Sequence, residues 1–511
     1  MSKTAQKIVI IGAGIGGLAA AARLAHQGFD VEVLEKGSGP GGRCGRLQVD
    51  GFTFDTGPTL LLMPAVLEET FASVGKKLSD YLTLERCDPN YRMHFRDGSD
   101  LTFSTELSQM GRELERIEPG SFGRFLEFLA LGEDQYRTSL DHFVGRNFES
   151  RMEMFTPANL KHALRIKAHK TMYAQMSRFF KDDRLRAALT FQTMYLGISP
   201  YESPAVYGLL PYAELAVGIW FPRGGMLAVP RALERVATEL GATFRYREEV
   251  DQVVLEGGKA TGVRLRGGAV VKADLVLCNA DLPWAYKNLI DPAASELKNV
   301  EKLKYTSSAF MMYLGVNKPY PQLLHHNIVF GGDYPGSFRD IFKHKRVPAD
   351  PSFYVNAPAH TDPSLAPPGK DCLYVLVPVP DRTAGLDWKV EGPALREKIL
   401  DRLGELGCPN LRADLEVERS FTPDDYALEL NLERGAAFGL SHNFFQVGPF
   451  RPKNQDPNIS NLFFVGASTQ PGTGLPMVML SAKLVAERIG ALGASRRAPV
   501  GKATRSDPVA A

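Results

Sequence analysis

Two rhythms of apolar and polar positions run along this chain. Ile8, Val9, Ile10 and Ile11 form a short unbroken apolar run, the pattern of a parallel strand buried on both faces. Leu18 to Leu24 is rich in Ala and Leu and opens a helix, and Val31-Glu32-Val33-Leu34 is a second strand ending on Glu35. Leu47 to Phe54 alternates with period two around Asp50-Gly51, a hairpin, and Tyr91 to Phe103 repeats the pattern around Asp97-Gly98. Helical spacing returns over 121–142, where Phe122, Phe125, Leu126 and Leu129 share one stripe. Over 159–189, Leu160, Leu164, Ala168, Met172, Met176 and Phe180 recur every four residues, which predicts an apolar ridge along a helix.

The second half returns to strand grammar. A helix over 227–240 precedes a strand at Thr243 to Arg247, hairpins through Gly257-Gly258 and Gly267-Gly268, and a buried strand at Ala273 to Cys278. Strands at Ser308–Val316, Asn327–Phe330, Ser352–Asn356 and Cys372–Pro378, with a helix over 392–407, predict a mixed sheet. Leu462 to Val465, the turn Gly466-Ala467-Ser468-Thr469 and a helix from Pro476 to Ile489 close the pattern.

The turn after the first strand carries chemistry. Gly12, Gly14 and Gly17 stand in G-x-G-x-x-G spacing between strand and helix. Gly12 allows the tight turn, Gly14 lets backbone approach a pyrophosphate, and Gly17 lets the helix pack on the strand. The helix N-terminus offers unpaired N–H groups to phosphate. Glu35 follows at roughly the 20-residue distance where a carboxylate accepts both ribose hydroxyls, a choice that repels a 2′-phosphate. These parts together predict a dinucleotide site.

The segment after Glu35, E-K-x-x-x-x-G-G-R through Lys36, Gly42 and Arg43, resembles the FAD-binding start of the flavin amine oxidase and carotenoid desaturase superfamily. F-P-R-G-G-M at Phe221–Met226 and FFVGASTQPGTGLPMVML near the C-terminus resemble the bacterial-type phytoene desaturases. The resemblance covers almost the whole chain, though it departs at Ser468, where Gly is frequent, and Gln470, where His is frequent. It implies an α/β fold: a Rossmann-like FAD-binding domain of discontinuous segments (1–90, 225–304 and 441–493), an α+β substrate domain (91–120 and 305–440), a helical membrane-associating subdomain (121–224) and a disordered tail (494–511). Carried over, Glu35 binds ribose, Arg43 lies by the pyrophosphate, Gly57 and Pro58 pass the flavin ring, and Val250 contacts adenine. Lys36, Gly42, Asp281, Gly466, Ala467 and Met477 complete the expected cofactor shell with Gly12, Gly14 and Gly17.

Composition changes this picture little. A length of 511 residues, 44% hydrophobic and 23% charged content and a net charge of +2 suit a globular protein of about three domains and give no sign of nucleic-acid binding. Cys44, Cys87, Cys278, Cys372 and Cys408 are scattered without a metal-binding spacing, which predicts buried reduced thiols in the cytoplasm and no metal site. No apolar run reaches the roughly 18 residues of a membrane span; 206–221 comes closest and is interrupted by Pro211 and Glu214. Lys161, Arg165, Lys167, Lys170, Arg178, Lys181, Arg184 and Arg186 make 159–189 strongly basic. That leaves two readings, a solvated face or a surface for the cytoplasmic membrane.

The resemblance implies an FAD-dependent desaturase, foremost of phytoene towards lycopene. Hydride passes from an allylic carbon of a long-chain carotenoid to flavin, and a neighbouring carbon loses a proton. Rival readings are a 3,4-desaturase, a hydroxyneurosporene-type desaturase, a terminal-methyl oxidase, a flavin amine oxidase and a non-catalytic isoprenoid carrier like the Rab GDP-dissociation inhibitors. With no second dinucleotide fingerprint, oxygen or a membrane quinone is the expected electron acceptor. No acid or base is assigned: His325-His326, the one adjacent histidine pair, reads as a solvated loop, and Arg223 as structural.

Overall fold

Strand Lys7–Ile11 is the middle of a five-stranded parallel sheet in the order Leu462–Phe464, Leu275–Cys278, Lys7–Ile11, Asp30–Glu35, Thr243–Tyr246. The computed structural model describes residues 5–497. Helix Ile15–His26 packs on this sheet between helices Ala228–Glu239 and Leu475–Arg497. Its contact with the strand needs glycine: a Cβ on Gly17 would lie 2.2 Å from the Gly12 carbonyl oxygen. Three distant stretches of chain therefore share one parallel sheet, as expected of a Rossmann-like α/β fold.

The second sheet has seven strands: Leu415–Phe421, Ser308–Val316, Asp371–Val379, Phe353–Asn356, His326–Val329, Tyr91–His94 and Asp100–Phe103. One pair, His326–Val329 with Tyr91–His94, is parallel; the rest are antiparallel. Every residue of Ser308–Val316 is buried. Alternate positions explain this: Phe310, Met312 and Leu314 pack under helix Trp388–Glu405, whereas Ala309, Met311 and Tyr313 face the main core shared with the parallel sheet. The edge strand Leu415–Phe421 is half-exposed and rich in charge, with Leu415, Val417 and Phe421 at alternate positions.

Several expectations are corrected. The stretch 159–189 is not one helix but three, Pro157–Arg165, Met172–Phe179 and Asp183–Ala188, broken where Lys167 takes φ +55° and Thr171 caps the next helix. Its ridge divides: Met172, Met176 and Phe180 are fully buried, while Leu160 and Leu164 are exposed. Arg165 pairs with Asp134, Arg184 with Asp182 and Asp97, and Arg186 with Asp183, so part of the positive charge is neutralised locally. Helix Ser121–Ser139 buries Phe125 and Phe128 and leaves Leu126 exposed, because the helix turns its stripe one position from the expected one. His325 and His326 are buried against the second sheet, not solvated. Helix Leu475–Arg497 runs through the start of the expected tail, and 498–511 lie outside the described residues.

All five cysteines are buried and free. Among the described residues, no helix is long and apolar enough to cross a membrane.

Candidate functional site

One cavity of about 920 Å³ runs between the two sheets. Its walls begin at the C-terminal ends of the parallel strands. Gly12 takes φ +97° and turns the chain out of Lys7–Ile11. Helix Ile15–His26 starts with no side-chain cap at Gly14, which leaves its first N–H groups open to a ligand. Glu35 closes this end: its Oε2 accepts the Ala13 N–H at 2.7 Å and its Oε1 the Gly37 N–H at 2.7 Å. The carboxylate is thus held rigid, with lone pairs left over for hydroxyl donors.

Further along, Gly42 (φ +56°) and Arg43 lead to the turn at Gly57-Pro58. A Cβ on Gly57 would lie 1.8 Å from the Arg43 carbonyl oxygen, so only glycine lets these two segments touch. The Arg43 guanidinium donates to the Ala437 carbonyl at 3.2 Å and lies near Asp281, and burial pulls its pKa down. Asp281 is buried, accepts Ser468 Oγ at 2.6 Å and the Glu433 N–H at 3.2 Å, and burial raises its pKa. Gly466, Ala467 and Met477 bring the C-terminal turn and the start of helix Leu475–Arg497 to the same wall.

Every expected site residue except Gly17 borders this cavity: Gly12, Gly14, Glu35, Lys36, Gly42, Arg43, Gly57, Pro58, Val250, Asp281, Gly466, Ala467 and Met477. Gly17 lies behind it, at the helix–strand contact. Lys36 turns its ammonium to the Glu429 carbonyl at 2.7 Å, tying this end of the cavity to the end of helix Pro423–Glu429. Arg223 lies on the surface with Glu85, outside the cavity.

Arg451 was not legible as a site residue. Its side chain is fully buried and donates to the carbonyls of Leu440, Ser441, Gln446 and Thr469 at 3.0–3.2 Å, and to that of Ala467. One planar cation therefore gathers the loop that carries Gly466 and Ala467. His442 adds a second tie, accepting the Thr473 N–H at Nε2 (3.1 Å). A lone arginine in a polar loop carries no pattern from which this could be read.

The donor set matches a dinucleotide: a pinned carboxylate, an uncapped helix start, a buried guanidinium and glycines where side chains would collide. Beyond it the cavity becomes apolar, lined by Phe191, Met194, Leu210, Ile328, Phe330 and Phe338. A family model for flavin-containing amine oxidoreductases matches residues 15–490. The chain belongs to the flavin-containing amine oxidoreductases. FAD is accordingly its cofactor, and the residues above are those that could hold it. A zeta-carotene-forming phytoene desaturase of Myxococcus xanthus is 65% identical over 96% of this chain and 94% of its own length. An all-trans-zeta-carotene desaturase of the same organism is 39% identical over 94% and 92%. An oxidoreductase of Methanosarcina mazei shares the fold, with a TM-score of 0.64 at 19% identity over 93% of this chain and 99% of that one.

Proposed function

We propose that this flavoenzyme is a carotenoid desaturase that acts on phytoene and stops at zeta-carotene, as the name of its 65% identical relative has it. The observation that carries this reading is the apolar arm of the cavity, which continues from the flavin end between Phe191 and Phe338. Such an arm suits a long hydrocarbon and offers an amine no fixed carboxylate of the kind that holds the nucleotide end. When bound, FAD supplies a two-electron acceptor for hydride. The protein's part is to hold an allylic C–H of the chain against that acceptor and to exclude water. Glu35, the start of helix Ile15–His26 and Arg43 would hold the nucleotide, and Gly57, Pro58, Gly466, Ala467 and Met477 would wall the rest of the cofactor. Chromatography of carotenoids from a host that makes only phytoene tests the reading: zeta-carotene should accumulate, and unchanged phytoene would overturn it.

The protein meets its insoluble substrate at a lipid surface, through a patch that joins the exposed start of the expected 159–189 stretch to the loop around Phe445. Phe445 is 73% exposed, Met152 69% and Leu164 64%. Phe155 and Phe445 both pack on Phe450 with ring centroids 6.1 Å apart, and Val447 and Gly448 in that same loop line the cavity. Exposed apolar side chains beside a cavity mouth, flanked by Lys161, suit insertion into an anionic bilayer.

A further inference from the structure

Glu214 is the one carboxylate in the apolar stretch 206–221, where the sequence treats it as an interruption. The structure buries it completely, in the single wide turn Ala213–Val217 that follows helix Leu209–Tyr212. Its partners are neutral. Oε1 accepts the Tyr91 hydroxyl at 3.0 Å and Oε2 accepts Gln192 Nε2 at 3.1 Å, while Asn90 Nδ2 holds its backbone carbonyl at 2.6 Å. The Tyr91 hydroxyl in turn meets that of Tyr195, and Tyr195 lines the cavity. A buried carboxyl with no cation beside it is costly unless it changes charge. Burial pushes it up to about 8, into the range where a proton is gained and lost near neutrality.

We propose that Tyr195, Tyr91 and Glu214 form a relay that removes the proton released by desaturation. The inference rests on the reading of the protein as a carotenoid desaturase. One C–H bond of the substrate breaks with its electron pair leaving as hydride to the flavin. At the neighbouring carbon the C–H electron pair stays to form the new C=C bond, and the proton passes to the Tyr195 oxygen. The proton of Tyr195 moves to Tyr91 and that of Tyr91 to the Glu214 carboxylate. The substrate loses two electrons, the flavin gains two, and the carboxylate ends as a carboxylic acid. The donors and acceptors allow this direction: when Glu214 is ionised, Tyr91 donates to it and leaves its own oxygen free to accept from Tyr195. Tyr195 is the group placed against substrate; Tyr91 and Glu214 act through it.

The other titratable groups around the relay are committed elsewhere. Tyr354 shares its hydroxyl with His326 Nδ1 at 2.7 Å and Thr59 Oγ1 at 2.9 Å, and the His326 ring lies 5.6 Å from that of Tyr91. Burial holds His326 well below the usual imidazole range, so it stays neutral beside the relay.

The test uses the FAD-loaded enzyme with phytoene in liposomes, without oxygen, and follows flavin bleaching across the neutral and mildly alkaline range. The wild-type rate at saturating phytoene should rise with pH through about 8. Glu214→Gln should bind FAD and phytoene with unchanged half-saturation, bleach about 100-fold more slowly, and lose the rise with pH. Tyr195→Phe, which removes only the hydroxyl, should show the same flat profile and decides alone if Glu214→Gln fails to hold FAD. Infrared difference spectra of the holoenzyme without substrate give a readout apart from activity: a protonated-carboxyl band should titrate near 8 and vanish in Glu214→Gln. A variant with the wild-type rate or its pH rise, or a wild type without that band, overturns the relay. A band that titrates as expected in an enzyme that leaves flavin oxidised with phytoene overturns the substrate reading, and the relay's role falls with it.

Discussion

Both carboxylate oxygens of Asp55 lie 2.9 Å from the backbone nitrogen of Met226, whose N–H they accept. This bond fastens the turn before Gly57 to the F-P-R-G-G-M turn, two segments far apart in sequence. Gly225 (φ +86°) fits beside it: a Cβ there would lie 3.0 Å from Asp55 Oδ1. Asp55→Ala leaves the Met226 N–H buried without an acceptor, so stability should fall by about 1–3 kcal/mol. Chemical denaturation of the holoenzyme, with flavin release followed in parallel, checks this.

Glu35→Gln should weaken FAD binding about 10- to 100-fold. The amide NH₂ must face the N–H of either Ala13 or Gly37, both of which now donate to the carboxylate at 2.7 Å. The ratio of flavin to protein absorbance after dialysis reads the loss.

Arg451→Met should cost about 3–5 kcal/mol and release the C-terminal turn from the cavity wall, because several buried carbonyls lose their donor together. Arg451→Lys should rescue little of this: an ammonium has three donors and lacks the planar fork. Thermal unfolding of the three proteins in FAD ranks them.

The Glu214 carboxyl gives stability a pH dependence apart from its proposed role. Its pKa is raised in the folded state from 4.5 to about 8, so the folded protein holds the proton more tightly than the unfolded chain. That contribution is full below 4.5 and is lost as pH rises through about 8. Glu214→Gln lacks this loss, and its stability relative to wild type should grow over the window by at most roughly 5 kcal/mol. Denaturation midpoints at the two ends of the window measure it.

Replacing Phe445 and Leu164 by Asp should abolish flotation with anionic vesicles and leave the bound-flavin spectrum unchanged, since both side chains project from the surface. Vesicle flotation checks the first effect, and the spectrum of the same sample the second.

What sequence could and could not reveal follows from where information is local. Ile8–Ile11, the glycine turn and Glu35 lie within one short stretch, so strand, phosphate loop and ribose acid were readable together. The apolar run of Ser308–Val316, read as a strand, was equally local. The ridge over 159–189 misled because four-residue spacing says nothing of Lys167, whose left-handed backbone splits the helix and sends Met172 and Leu164 to opposite fates. Arg451 was invisible, and Glu214 legible only as an interruption, for another reason: their meaning lies in partners such as Ala467 and Tyr91, which only the folded chain brings near.

The central strand Lys7–Ile11 borders Leu275–Cys278, which in turn needs Leu462–Phe464 as its outer neighbour. A ribosome therefore releases the first strand long before the last one exists, and the wall at Gly466 and Met477 comes later still. The complete cleft therefore exists only once the last strand has been made. A fragment cut anywhere in the middle keeps the glycine fingerprint and still lacks the far side of the cleft.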